Sequence, residues 1–253
     1  MAWLQPQDAF DPDQHPQRVL GIAAQLGRHD SGMHRHGRAQ LLFARRGCIH
    51  ITLADQLCLL PPTRAAWIPA GVTHRAQMQG IVDYRSLYFD PDQCQGLLQQ
   101  VQVLEVGELL AALLERIAQA DLATDWSKGS GPHLVALCLD EIARARREPT
   151  LLPLPKDRRL AGLDMALLPP ALGVLASQVG ASPKTLGRIF QRETGMGYQQ
   201  WRQQWRLLKA IERLAAGDRH SAIADALGFA SDSAFVAFFK QMTGLSPLAY
   251  LGA

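Results

Sequence analysis

The sequence lacks the long apolar run that a membrane-spanning helix needs. Its strongest apolar cluster, Leu57 to Leu60, is followed at once by Pro61 and Pro62, whereas a spanning helix takes about 20 consecutive apolar residues. The first sixteen residues contain no basic segment followed by an apolar segment, which argues against a secretory signal. We therefore expect a cytoplasmic protein with no membrane partner.

Cysteine is scarce and unpatterned. The chain has 4 cysteines in 253 residues, and no two of them form a C-x-x-C pair. Scattered cysteines are typical of buried thiols in a reducing compartment, not of disulfides or a zinc knuckle. The sequence also contains no nucleophile elbow, no phosphate-binding loop and no G-x-G-x-x-G motif after a predicted strand.

Charge is distributed unevenly along the chain. Residues 1–157 carry 15 Lys/Arg and 17 Asp/Glu, whereas residues 158–253 carry 11 and 6. The division falls near three prolines within seven residues, which favour an extended linker. This pattern predicts an N-terminal domain at 1–148, a proline-rich linker at 149–157 and a C-terminal domain at 158–253. The basic C-terminal domain is expected to bind a polyanion.

The N-terminal domain changes its hydrophobic period partway along. Short apolar runs separated by Gly, Pro or Asp predict the strands of a small barrel or sandwich within residues 15–90. Beyond residue 92 the period becomes helical. One predicted stripe contains Leu109, Leu110, Leu113, Leu114 and Ile117, and a second contains Leu134, Leu137, Cys138 and Ile142. We expect the barrel wall and a second copy of the chain to cover these stripes together, which predicts a homodimer.

An internal repeat occupies the C-terminal domain. The two copies, 49 residues apart from their serines onward, are Gly180-Ala-Ser182, Ile189-Phe190 and Thr194-Gly195, then Gly228-Phe-Ala-Ser231, Phe238-Phe239 and Thr243-Gly244. Each copy places a glycine turn and a serine N-cap between two helical patterns, as in a helix-turn-helix. These units are predicted at about 172–193 and 221–242. The expected fold class is an all-β barrel with appended α-helices, followed by an all-α double helix-turn-helix domain.

The second helix of each copy presents a polar face. The predicted outward residues are Lys184, Thr185, Arg188 and Arg192 in the first copy, and Asp232, Ser233, Val236 and Lys240 in the second. Between the copies, residues 198–216 predict one helix of about 28 Å, comparable with the roughly 34 Å between successive major-groove segments. Such a spacer favours double-stranded DNA as the partner. A plain helical bundle with a solvated basic face is the alternative.

The closing stretch of the repeat resembles a known family signature. Its residues are Ile223-Ala-x-x-Leu-Gly-Phe229, Ser233-x-Phe235-x-x-x-Phe239-Lys240 and Thr243-Gly244-x-Ser246-Pro247. Residues 158–252 are similar to the DNA-binding domain of the AraC/XylS family of bacterial transcription regulators. The resemblance implies base-reading roles for Lys184, Thr185, Gly187 and Arg188, and for Asp232, Ser233 and Val236. Because Gly187 has no side chain, readout by the first helix should rest on its neighbours.

Two histidine motifs in the N-terminal domain resemble those of the cupin barrel. They are His34-x-His36-x3-Gln40 and Pro69-x-Gly71-x2-His74. The resemblance implies that His34, His36, Gln40 and His74 converge on a divalent transition metal such as Zn²⁺, Ni²⁺ or Fe²⁺. Gln40 stands where the cupin motif has Glu, so the site would be neutral and would hold a metal less firmly. A metal-free polar pocket whose histidines contact an effector is the alternative.

The sequence therefore predicts a DNA-binding transcription regulator that is not an enzyme. A small molecule or a metal in the barrel would change how two chains present their helix-turn-helix units, with RNA polymerase as a further partner if the protein is an activator. The competing prediction is a cupin metalloenzyme that uses His34, His36 and His74. That alternative lacks an anionic ligand at position 40 and leaves the C-terminal third of the chain without a role.

Overall fold

The computed structural model describes residues 3–4, 10–78, 80–148, 151–164 and 167–251. It divides into a first unit, residues 1–53 with 59–149, and a second unit, residues 54–58 with 150–253. Pro149 and Thr150, which begin the predicted linker, lie outside the described residues. Across the described ranges, no helix has both the length and the apolar character required to cross a bilayer.

The described residues form twelve strands and eight α-helices. The strands are β1 (Trp3–Leu4), β2 (Val19–Leu26), β3 (His29–Asp30), β4 (Ala39–Arg46), β5 (Ile49–Leu53), β6 (Gln56–Leu60), β7 (Arg64–Ile68), β8 (His74–Met78), β9 (Val82–Phe89), β10 (Gln102–Glu105), β11 (Arg147–Glu148) and β12 (Leu151–Pro153). The helices are α1 (Glu108–Ala118), α2 (Gly131–Arg144), α3 (Leu172–Gln178), α4 (Pro183–Thr194), α5 (Tyr198–Ala215), α6 (His220–Ala226), α7 (Asp232–Thr243) and α8 (Pro247–Tyr250).

The first unit is built on β-sheet, as predicted. One sheet has the strand order β1-β2-β9-β4-β7-β10-β11 and is antiparallel except for the pair β1 and β2. Strands β5, β8 and β3 belong to a second, antiparallel sheet. The period of two is clear in β5, where Ile49, Ile51 and Leu53 are buried and the residues between them are only partly buried.

Helices α1 and α2 pack onto the seven-stranded sheet. Leu113 and Ile117 share one buried core with residues of β4, β7 and β9. Gly21 of β2 permits this close approach, because a Cβ at that position would collide with the backbone of Ile117. Leu109 and Leu137 of the predicted stripes are 46% and 40% exposed, so the sheet does not cover them. Each lies about 100° around its helix from the next, buried position.

The second unit contains two helix-turn-helix units joined by α5. Helices α3 and α4 form the first helix-turn-helix, and α6 and α7 form the second helix-turn-helix. The predicted fold class is therefore confirmed. In each, a serine hydroxyl caps the second helix: Ser182 Oγ accepts from the Thr185 N–H at 3.1 Å, and Ser231 Oγ from the Ala234 N–H at 3.2 Å. Val236 is half-buried, which corrects its predicted outward position, and Phe238 is half-buried as well.

Residues 151–157 are fixed within the second unit. Strand β12 pairs antiparallel with the start of β6, from Leu151 opposite Cys58 to Pro153 opposite Gln56. The Trp201 indole donates from Nε1 to the Pro153 carbonyl oxygen at 2.7 Å. Glu193 Oε2 at the end of α4 accepts from the backbone N–H groups of residues 156 and 157 at 2.8 and 3.0 Å. The segment is therefore attached directly to the first helix-turn-helix unit.

Candidate functional site

A cavity of about 590 Å³ lies within the first unit. Both sheets contribute to its wall, which has an apolar part and a polar part. The apolar part includes Ile22, Leu26, Leu42 and Met78, and the polar part includes His34, His36, Gln40, His74, Tyr84 and Tyr88. A cavity of this size and mixed lining is typical of a small-molecule site.

The three predicted histidine ligands meet at the polar part of this cavity. One ring nitrogen from each of His34, His36 and His74 lies within 4.8 Å of those of the other two. The backbones of His34 and His74 hold each other through two N–H to carbonyl bonds of 2.9 Å. This bridge explains how motifs 40 residues apart in sequence converge on one point.

Backbone carbonyl groups orient all three imidazole rings. Nδ1 of His34 lies 3.0 Å from the Gly32 carbonyl oxygen, Nδ1 of His36 lies 2.7 Å from that of Arg38, and Nδ1 of His74 lies 2.9 Å from that of Val72. Because a carbonyl oxygen only accepts, each Nδ1 carries the proton in these bonds. In the Nδ1–H tautomer that these bonds favour, the lone pair of each ring lies at Nε2, as in histidines that bind a metal.

Gln40 completes the cluster from β4. Its Nε2 donates to Ser86 Oγ at 2.9 Å and to the Tyr88 hydroxyl at 3.2 Å, and its Oε1 lies 3.3 Å from His36 Nε2. These bonds turn the amide oxygen toward the histidines. Three imidazole nitrogens and one amide oxygen are a chemically suitable, neutral donor set for a borderline divalent metal.

Burial shifts the pKa values of three side chains in the polar part of the cavity, those of His74, Tyr84 and Tyr88. Desolvation, assisted by the two neighbouring histidines, lowers the pKa of His74 to about 4, although its bond to the Val72 carbonyl opposes the shift. His74 is therefore neutral at pH 7 and can bind a metal without releasing a proton. Desolvation also raises the pKa values of Tyr84 and Tyr88, so both hydroxyls stay protonated.

The sequence reasoning missed the polar residues of β9. Tyr84, Ser86 and Tyr88 alternate along the strand and therefore share one face. Such a polar face inside a predicted barrel strand was the signal that could have identified them. Phe10 and Asp13, in the segment before β2, also line the cavity and were not predicted from the sequence.

The predicted reading face of α4 is exposed and basic. Lys184, Arg188 and Arg192 lie at intervals of four residues and are all exposed. Arg192 pairs with Glu193 at 2.5 Å, whereas neither Lys184 nor Arg188 has an ion pair among the described residues. The Thr185 hydroxyl bonds Ser182 Oγ at 2.9 Å, which places Thr185 in the helix cap. Helix α4 can therefore offer two unpaired cations to a phosphate or a base edge.

The face of α7 has a different character. Asp232, Ser233 and Lys240 are exposed and Val236 is half-buried, so this face holds one acidic and one basic residue. Asp232 lies in the first turn, where a negative charge stabilises the helix. The face of α7 therefore carries fewer cations than that of α4.

Family models match this chain in both of its units. The model of the AraC-like ligand binding domain matches residues 16–130, and that of a helix-turn-helix domain matches residues 175–253. The HTH-type transcriptional regulator NimR of Escherichia coli K12 is 29% identical over 252 residues, which cover 96% of this chain and 91% of that protein. A putative AraC-like transcription regulator of Streptomyces antibioticus is 25% identical over 88% of this chain and 68% of its own length. Fatty acid-bound ToxT of Vibrio cholerae is 11% identical, with 92% and 93% of the two chains covered and a TM-score of 0.35.

Proposed function

This chain belongs to the AraC family of DNA-binding transcription regulators, and from that premise we propose that α4 and α7 bind double-stranded DNA under the control of a ligand in the first unit. The observation that carries this proposal is the pair of helix-turn-helix units with equivalent serine caps, one of which exposes Lys184 and Arg188. The ligand would occupy the 590 Å³ cavity beside the histidine cluster.

Arg188→Ala tests the proposed DNA interface. We expect the variant to lose about 1–3 kcal/mol of specific binding free energy if the guanidinium contacts a guanine edge. Binding should be measured by fluorescence anisotropy on an operator selected with the wild-type chain, at one fixed salt concentration, because phosphate contacts make affinity salt-dependent. Arg144→Ala is the matched control, since it removes an exposed arginine from α2. Unchanged affinity and sequence preference in Arg188→Ala would reject the assigned face.

We propose that the histidine cluster binds a divalent transition metal. The three Nδ1–H groups bonded to carbonyl oxygens and the inward Gln40 oxygen support this assignment. When bound, such a metal supplies a Lewis-acidic coordination site at the polar end of the cavity. His34, His36, Gln40 and His74 would hold it, while backbone carbonyl groups orient the three imidazole rings and burial keeps His74 neutral. A regulator is favoured over the metalloenzyme alternative because the curated relatives are named as transcription regulators.

The proposed assembly is a homodimer through the outer faces of α1 and α2. Leu113 and Ile117 do not support it, because the sheet covers them, but Leu109 and Leu137 remain exposed. The full chain should sediment as a dimer at micromolar concentration, and Leu109→Glu with Leu137→Glu should shift it toward monomer. Ile81→Glu is the control, since Ile81 is also exposed but lies between β8 and β9. A wild-type monomer would contradict the assembly. RNA polymerase is the further partner proposed for an activator.

A further inference from the structure

Arg206 of α5 contacts the turn of the second helix-turn-helix unit. Its Nη2 donates to the Gly228 carbonyl oxygen at 3.0 Å, and its guanidinium carbon lies 4.6 Å from the centre of the Phe229 ring. A planar cation can make both contacts at once, a bond in its plane and an attraction to the ring face below it. Arg206 therefore connects the spacer helix to the turn between α6 and α7.

The turn is shaped to accept this side chain. Gly228 has a φ of +69°, in the region that favours glycine. A Cβ at this position would lie 3.2 Å from Arg206 Nη2 and 3.4 Å from the Leu168 side chain. Glycine thus serves both the backbone conformation and the approach of the guanidinium. At Gly180, the equivalent turn of the first copy, no described heavy atom lies within 4 Å of an added Cβ.

Phe229, which contacts Arg206, also packs against α7. Its ring centre lies 4.9 Å from that of Phe238 and 5.8 Å from that of Phe235, both on α7. The first copy is held differently. Phe190 of α4 packs against Tyr198 and Trp201 in the first turns of α5, at 4.8 and 5.1 Å. Helix α5 therefore contacts the first copy through aromatic rings, and its contacts with the second copy include Arg206 and, through it, Phe229.

Arg206 is partly removed from water, which costs hydration free energy of its charged guanidinium group. Its Nε is buried and has no hydrogen-bond partner among the described residues. Burial, with a contribution from Arg202, also lowers the pKa of the guanidinium. No acidic side chain forms a salt bridge with it in the described part of the chain. A positional role accounts for a cation kept here without a carboxylate partner.

We propose that Arg206 is a positioning residue that sets the orientation of α7, and with it recognition of the DNA half-site read by the second helix-turn-helix unit. This inference rests on the proposed reading of DNA by α4 and α7. It assigns no DNA contact to Arg206 itself. Within the described ranges, Arg206 contacts the turn of the second helix-turn-helix unit and not that of the first. Loss of Arg206 should therefore affect the half-site read by α7 and spare the half-site read by α4.

Selection from a random duplex DNA library tests this inference with the full chain. Wild type should enrich a motif in which each bound chain reads two half-sites, and selection with Arg188→Ala identifies the half-site read by α4, because that half-site relaxes. Arg206→Met keeps an apolar stem but removes the guanidinium. It should retain the α4 half, lose the sequence preference of the other half, and bind the wild-type consensus about tenfold more weakly. Lys209→Met, one turn away on α5, is the control and should retain both halves.

Several outcomes would overturn the inference. A folded Arg206→Met variant that enriches the complete motif contradicts it, and so does equal weakening of both halves. If Arg206→Met does not fold by circular dichroism, Arg206→Lys decides, because it keeps the charge but cannot stack and donate as a planar group. Arg206→Lys should show the same one-sided loss, and a complete motif would overturn the inference. If wild type enriches no motif of two half-sites, the proposed function itself fails.

Discussion

Replacing His74 by alanine should abolish the binding of Zn²⁺ or Ni²⁺ by the full chain, because it removes one of the four proposed ligands, the imidazole that burial keeps neutral at pH 7. Calorimetric titration with each metal, followed by elemental analysis after dialysis, measures the effect. His133→Ala is the matched control, since His133 is an exposed histidine on α2 outside the cluster. Metal binding that survives in His74→Ala at wild-type affinity would contradict the assigned site.

Gln40→Glu should instead strengthen the binding of the metal at the same site. The substitution adds an anionic oxygen ligand where His36 Nε2 already faces Oε1 at 3.3 Å. Ser86 and Tyr88 can accommodate it, because their hydroxyls accept from the amide and can instead donate to a carboxylate. If neither wild type nor Gln40→Glu binds a metal, the cluster is a polar pocket and its histidines become candidates for direct effector contacts.

Trp201→Ala should lower the free energy of unfolding of the second unit by about 3–5 kcal/mol. Trp201 is fully buried, packs against Phe190 and Tyr198, and donates to the Pro153 carbonyl oxygen. Trp201→Phe keeps most of the ring packing and loses the hydrogen bond, so its effect should be about 1–2 kcal/mol. Urea unfolding followed by circular dichroism measures both, with each transition fitted separately. Equal losses in the two variants would show that ring packing contributes little here.

The helix-turn-helix repeat was predictable because its information is local. Each serine caps the helix that begins one residue later, and each Thr–Gly pair ends its helix within one turn. The side-chain bonds recur as well: Thr194 Oγ1 donates to the Phe190 carbonyl oxygen, and Thr243 Oγ1 to that of Phe239. Such short-range patterns are visible in a sequence without any knowledge of tertiary contacts.

The features that sequence reasoning missed depend on distant contacts. The exposure of Leu109 depends on which face of α1 packs on the sheet, where the Ile117 backbone lies close to Gly21. Tyr88 joins the cavity wall through a bond from Gln40, 48 residues earlier. Trp201 reaches the Pro153 carbonyl oxygen across 48 residues. Hydrophobic periodicity contains no information on which distant partner a polar atom will meet.

The pairing of β12 with β6 has a consequence for biosynthesis. Residues 56–58 leave the ribosome almost a hundred residues before Leu151, so their backbone groups wait without this partner during translation. An unpaired strand edge is a template for association with other chains. A fragment ending at residue 148 would keep that edge bare permanently and could self-associate through it. A domain cut at residue 158 would lose the Pro153 carbonyl oxygen that Trp201 uses. The folding unit that contains the DNA-binding helices thus includes a short piece of chain made long before them.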